Sequence, residues 1–203
     1  PLPEIDGAQA AWENAAREKL QNKWQTISPT AAISTGGATL TPGADGVITA
    51  GGENPAKDIY ELDFKLDQSG ITALKVELLP RPDAPLNSLG RSDNGNVVIT
   101  EIEAEISPIA DAPAYQRIGF VSADADYAQT TLETPRLIDG NLDTGYGAGG
   151  HESPGARSIV LVPEAPIGMG SGSLFKLRIR QESGFPAHAA ERVRISVTTD
   201  PTM

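Results

Sequence analysis

The chain has 203 residues, with 16 Lys+Arg against 27 Asp+Glu and a net charge of -11. That length suits one domain that folds without staples, and the acid excess disfavours nucleic acid or an anionic membrane as partner, because both ask for a basic patch. Hydrophobic residues at 39% are too many for a disordered chain, and zero cysteines exclude disulfides, thiolate metal sites, a cysteine nucleophile and covalent c-type haem.

Pro1-Leu2-Pro3-Glu4 has neither the basic nor the apolar stretch of a signal peptide, so the chain reads as a mature product or as a segment of a longer protein. No run approaches the roughly 18 apolar residues that a membrane-spanning helix needs. Residues 7–24 read as a helix capped by Asp6, with Ala8, Trp12, Ala16 and Leu20 four apart and Trp24 continuing the stripe. Two readings of it stand: it packs on the rest of the fold, or it docks against a neighbouring domain.

From Thr26 the apolar period changes to two. Ala38 to Thr41 and Val47 to Ala50 flank Pro42-Gly43-Ala44-Asp45-Gly46, a hairpin signature. Tyr60, Leu62, Phe64 and Leu66 alternate with polar residues, as do Thr72, Leu74, Val76 and Leu78. Val98, Ile102, Ala104 and Ile106 define a further strand, with Glu101, Glu103 and Glu105 on its opposite, solvated face. Ile118 with Phe120, Ile159 with Leu161, then Phe175, Leu177 and Ile179, and finally Val193, Ile195 and Val197 complete the set. One apolar and one polar face per strand marks antiparallel sheets. The expectation is an all-β antiparallel sandwich or jelly roll over 25–203, preceded by a helical segment over 1–24.

Three long loops, 80–96, 139–154 and 182–191, are the places to look for a site. Asp139-Gly140-Asn141-Leu142-Asp143-Thr144 sets oxygen-bearing side chains at alternate positions. Such a run either offers oxygens to calcium or makes turns by bonding its own backbone, and both readings stand. Arg91, Asn94 and Asn96 lie in a polar loop that offers paired donors to a sugar hydroxyl, or forms an Asn-Gly turn fixed by its arginine. His151 and His188 are the two histidines, with no partner that sequence can place. No nucleophile elbow, zinc helix or P-loop occurs, and no converging carboxylate pair can be named. Tyr60, Tyr115, Tyr127 and Tyr146 are possible stacking platforms, with Tyr146 the best placed because it sits on a long loop.

Several segments together resemble a known protein region. Ile71-Thr72-Ala73-Leu74-Lys75-Val76-Glu77-Leu78-Leu79-Pro80 is followed by Gly90-Arg91 and Asn94-Gly95-Asn96-Val97-Val98-Ile99-Thr100-Glu101. Ile138-Asp139-Gly140-Asn141-Leu142-Asp143-Thr144-Gly145, Gln181 and His188-Ala189-Ala190-Glu191 through Thr199 complete the match. This resembles the middle region of planctomycete-type cytochrome c domain proteins, and Ala8-Gln9-Ala10-Ala11-Trp12-Glu13 resembles the helix that precedes it there. Ala125-Asp126-Tyr127-Ala128-Gln129 and the Asp139 run also look like a discoidin-like, galactose-binding-like domain.

The resemblance implies a glycan-binding jelly roll with no catalytic residue and no haem on this chain. It implies structural calcium held by Asp139, Asn141, Asp143 and Thr144, and it puts Tyr146 where the family usually has Trp. The expected function is a non-catalytic carbohydrate-binding module of a larger exported bacterial protein, periplasmic or at the cell surface. Its ligand residues are Arg91, Asn94, Asn96, Tyr146, His188 and Arg192, and its partner is a polysaccharide. The alternative is a docking module that orients neighbouring cytochrome c and C-terminal domains.

Overall fold

The computed structural model describes residues 9, 23–81, 88–111, 114–152, 155–170 and 172–202. The helix expected over 7–24 falls, apart from Gln9, Lys23 and Trp24, outside the described residues. The strands are β1 (Gln25–Ile27), β2 (Ala31–Ser34), β3 (Ala38–Pro42), β4 (Val47–Gly52), β5 (Asp58–Leu66), β6 (Ala73–Leu78) and β7 (Val98–Ile99). They continue with β8 (Glu101–Pro108), β9 (Gln116–Ile118), β10 (Phe120–Ala125), β11 (Tyr146–Gly147), β12 (Arg157–Pro163), β13 (Ser173–Gln181) and β14 (Arg192–Thr198).

These strands form an antiparallel β-sandwich. One sheet runs β10-β12-β6-β14-β4-β3, with β1 added against β14, and the other runs β2-β5-β13-β8-β9. A short β7–β11 ladder stands apart from both. The period of two explains the packing. Along β13, Ser173, Phe175, Leu177, Ile179 and Gln181 point inward, while Leu174, Lys176, Arg178 and Arg180 point out. Register puts Phe175 opposite Phe64 on β5 and Ile106 on β8, and the two phenyl rings meet at 5.9 Å.

The outward face of that sheet carries opposite charges at cross-strand positions. Arg178 bonds Glu61 at 3.0 Å and Glu105 at 3.1 Å, while Lys176 reaches Asp63 at 3.3 Å. Each such exposed pair contributes about 0.2–1 kcal/mol. They hold register more than they add stability. On the other sheet, Arg194 grips both oxygens of Glu77, at 2.8 and 3.0 Å. Burial pushes the Glu77 carboxyl up, but Arg194 and Lys75 outweigh it and hold the group below its ordinary range.

Glu101 departs from the expected pattern. Alternation put it with Glu103 and Glu105 on the water side, yet it is only 2% exposed. It opens β8, where the loop of residues 138–140 folds over it and the Gly140 N–H donates to its Oε2 at 3.1 Å. Alternation fixes sides only within a strand, and this end residue takes its surroundings from a loop.

A large-to-small change in this core leaves a cavity and loses burial, at a cost of about 3–5 kcal/mol for a phenylalanine. Phe175→Ala, at 0% exposure, should lose that much in urea unfolding. Val121→Ala, at 64% exposure on edge strand β10, should stay within about 0.5 kcal/mol.

Candidate functional site

Register brings the long loops to one end of the sandwich. Strands β4, β6, β10 and β13 end there, and β5, β8, β12 and β14 begin there. The segment 88–98 is laced to its neighbours by backbone bonds. Arg91 N donates to Ala189 O at 2.9 Å, Val98 N to His188 O at 3.0 Å, and Glu191 N to Leu89 O at 3.0 Å. On its other side β7 pairs with β11, and Ala148 N donates to Val97 O at 3.0 Å.

The loop of residues 90–96 is folded on itself. Gly95 takes a φ of +75°, which suits glycine, and its N–H donates to Ser92 O at 2.8 Å. A Cβ on Gly90 would sit 2.1 Å from Asn96 O, so a side chain there would force the loop open. Ser92 Oγ donates to Asn94 Oδ1 and to Asn96 O, and Asn96 N donates to Asn94 Oδ1. This is the Asx chemistry that Asn-Gly runs favour.

Two hollows flank this loop. The first, of about 400 Å³, is bordered by Asn54, Arg81, Arg91, Asp93, Asn94 and Glu191 among others. The second, of about 190 Å³, is bordered by Asn94, Asn96, Gln129, His151, Phe185 and His188, with Val98 and Leu132. Asn94 belongs to both.

The six expected ligand residues divide. Arg91 spends its guanidinium on Glu53 O at 2.6 Å and Gly52 O at 2.7 Å, so it clamps the rim. Arg192 donates to Pro80 O at 2.8 Å, again a scaffold contact. Asn96 is buried, donates to Gln129 Oε1 at 2.8 Å, and accepts from Gly150 N at 3.3 Å. Asn94 is exposed, with Oδ1 used inside the loop and no partner on Nδ2 among the described residues. His188 shares its Nδ1 with Pro186 O at 2.9 Å. A carbonyl there fixes Nδ1 as the donor of a neutral ring, and leaves Nε2 as an acceptor.

Tyr146 needs correction as a platform. It is 0% exposed, and its hydroxyl donates to Tyr127 O at 2.8 Å. Burial, with Asp126 nearby, raises the phenol above its ordinary range. Position in a long loop suggested exposure, but pairing with Ile99 on β7 turns the ring inward. The exposed phenyl ring among the described residues at this end is Phe185, at 54%, lying 5.7 Å from the His188 ring. Sequence reasoning passed over it, although an apolar residue between Gly184 and Pro186 in a polar loop was a signal.

Behind the second hollow runs a polar chain. Gln129 accepts from Asn96 and donates to Glu152 Oε1 at 3.0 Å, and Tyr127 donates to Glu152 Oε2. Arg157, buried over the Tyr127 ring at 4.7 Å, donates to Ala148 O at 2.8 Å and ties the 148–150 segment down.

The expected calcium loop is closed by its own donors. Asp139 Oδ1 accepts from Asn141 N at 2.8 Å, and Oδ2 accepts from Thr144 Oγ1 at 2.7 Å. Asn141 Oδ1 accepts from Asp143 N at 3.1 Å. Both Asp139 oxygens and Asn141 Oδ1 thus accept from N–H and O–H groups of the loop itself, which leaves the Asp143 carboxylate as the one acidic group of the run without a donor among the described residues, too few free oxygens for a calcium cage. Among the described residues no group of three His, Cys, Asp or Glu could hold a metal.

No protein-family model matches the chain, and no curated protein matches it. A solved structure concerning the promiscuous specificity of carbohydrate-binding modules from the β-sandwich superfamily is similar at 14% identity and a TM-score of 0.29. That likeness covers 87% of this chain and 55% of the other, so the chain spans about half the length of the structure it matches.

Two measurements check the electrostatics. Burial, with Asp139 and Glu103 adding like charge, pushes Glu101 up to about 7 despite the Gly140 N–H. An unfolded glutamate titrates near 4.3, so between that value and about 7 the folded chain holds one more proton. Its stability is fully present below pH 4.3 and is lost as pH rises toward 7. Glu101→Gln should remove this component, leaving a Tm that falls less between pH 5 and pH 8 than that of the unaltered chain. Equal slopes would contradict the burial of a titrating Glu101. As for calcium, Tm should be the same in chelator and in millimolar calcium, since binding to the folded form alone would raise it.

Proposed function

We propose that this chain is a non-catalytic carbohydrate-binding module that takes a neutral glycan at the second hollow. The observation that carries this reading is the exposed Phe185 ring, held against His188 at the mouth of a hollow lined with amides and imidazoles. A sugar presents C–H groups on one face and hydroxyls at its edge. The C–H face stacks on an aromatic ring, whose π face is negative. His188 Nε2 accepts from one hydroxyl, and Asn94 Nδ2 donates to another.

Charge favours a neutral ligand. Arg91 and Arg192 are committed to backbone carbonyls, and Arg81 pairs with Glu191 at 3.0 Å. The chain as a whole carries -11, which repels a polyanion. The described residues that line the hollow offer amides and imidazoles, and among them there is no carboxylate, hydroxyl or lysine. The segments that resemble cytochrome c-associated regions support an exported, multidomain bacterial parent.

The test is a glycan array followed by titration calorimetry on a neutral hit. Phe185→Ala and His188→Ala should each weaken binding about tenfold, equivalent to about 1.4 kcal/mol, with the fold intact. Tyr146→Phe should leave affinity unchanged and cost about 1–2 kcal/mol of stability, because it removes a hydrogen bond to the half-buried Tyr127 carbonyl. Unchanged affinity in Phe185→Ala would remove the hollow from the account.

A further inference from the structure

The hollow beside Phe185 is small for a ligand site on its own. At about 190 Å³ it falls below the roughly 300–1,000 Å³ of ordinary ligand pockets. The first hollow, of about 400 Å³, lies across the loop of residues 90–96, and Asn94 borders both. Taken together, the two fall within the ordinary range.

The wall they share is fixed. Arg91 spends its guanidinium on Gly52 O and Glu53 O, and Asn54 Nδ2 donates to Arg91 O at 2.9 Å. Ser92 Oγ and Asn96 N both donate to Asn94 Oδ1. That leaves the Asn94 amide nitrogen, with two N–H donors and no partner among the described residues. A sugar beside Phe185 uses one of these donors, and the second is spare.

The first hollow offers the complement. Its cations are committed, Arg91 to carbonyls and Arg81 to Glu191 at 3.0 Å. Asp93 is exposed and borders the hollow, and its carboxylate has neither an ion pair nor a hydrogen-bond donor among the described residues. Asn54 Oδ1 is likewise without a donor there. Free acceptors beside committed cations suit hydroxyl donors. A carboxylate accepts two of them side by side, and neighbouring hydroxyls on a sugar ring present that pair. The same carboxylate repels an acidic sugar. No aromatic ring is among the described lining residues, so a unit here is held by hydroxyl contacts alone.

We propose that the two hollows are subsites of one site, which takes a neutral oligosaccharide whose chain crosses the 90–96 loop. This rests on the reading of the second hollow as a glycan site. One unit stacks on Phe185 and bonds His188 Nε2. Asn94 Nδ2 donates to a unit on each side of the loop. The unit in the first hollow gives two adjacent hydroxyls to Asp93 and a third to Asn54 Oδ1. The ligand class is therefore a stretch of polysaccharide rather than a single sugar.

The test is a length series. Neutral oligosaccharides of glucose, mannose, xylose and galactose, each from one to six units long, are titrated by calorimetry. In the series that binds, affinity should rise about tenfold with length and level off once both hollows are filled. Asp93→Ala, a change at an exposed residue, should cost the longest member about fivefold, with the loss confined to the longer chains. Phe185→Ala should weaken every length. Affinity that does not change with length, or an Asp93→Ala variant that binds the longest member as the unaltered chain does, would overturn the two-subsite proposal and leave the glycan site at Phe185 in place. Failure of every series to bind at any length would overturn both.

Discussion

The lacing of residues 88–98 between two other loops is the constraint on which the rim depends. Backbone bonds from Arg91, Val98 and Glu191 tie it to residues 188–191, and the β7–β11 ladder ties it to residues 146–148. Loops are usually the mobile part of a sandwich. Here three of them are joined by main-chain bonds to one another, so the side chains they carry keep fixed relative positions. The Arg91 guanidinium, spent on Gly52 and Glu53, adds the β4–β5 connection to the same assembly.

That division of labour explains which polar groups remain for a ligand. A charged group that holds a loop is no longer free to recognise anything, and both arginines expected to bind have become anchors. The neutral groups with spare capacity, Asn94 Nδ2 and His188 Nε2, lie beside an exposed phenyl ring. Orientation is thus built from main-chain bonds, and recognition is left to a few side chains on a rigid base.

Much of the architecture was legible because the inward sets on β5 and β13 repeat strictly at period two. Where that rule ends, so did the reading. Val98 was assigned to the strand of Ile102, but the chain breaks at Thr100, and Val98 joins β7 instead. Glu101 and Tyr146 were misplaced for one reason: their burial is imposed by partners distant in sequence, Gly140 and the β7 segment. Asp139, Asn141 and Thr144 carry a pattern that suits both a cation and a self-bonded turn, and only geometry separates the two. Phe185 left a trace in the sequence, a lone apolar residue in a polar loop, yet its pairing with His188 needed the fold.

The most direct measurement is amide shift mapping with a neutral oligosaccharide that binds the chain. The account predicts that the moving signals cluster at residues 94–98, 149–152 and 185–189, with the outward face of β5, β8 and β13 unmoved. Shifts confined to that sheet face, with the rim silent, would contradict it.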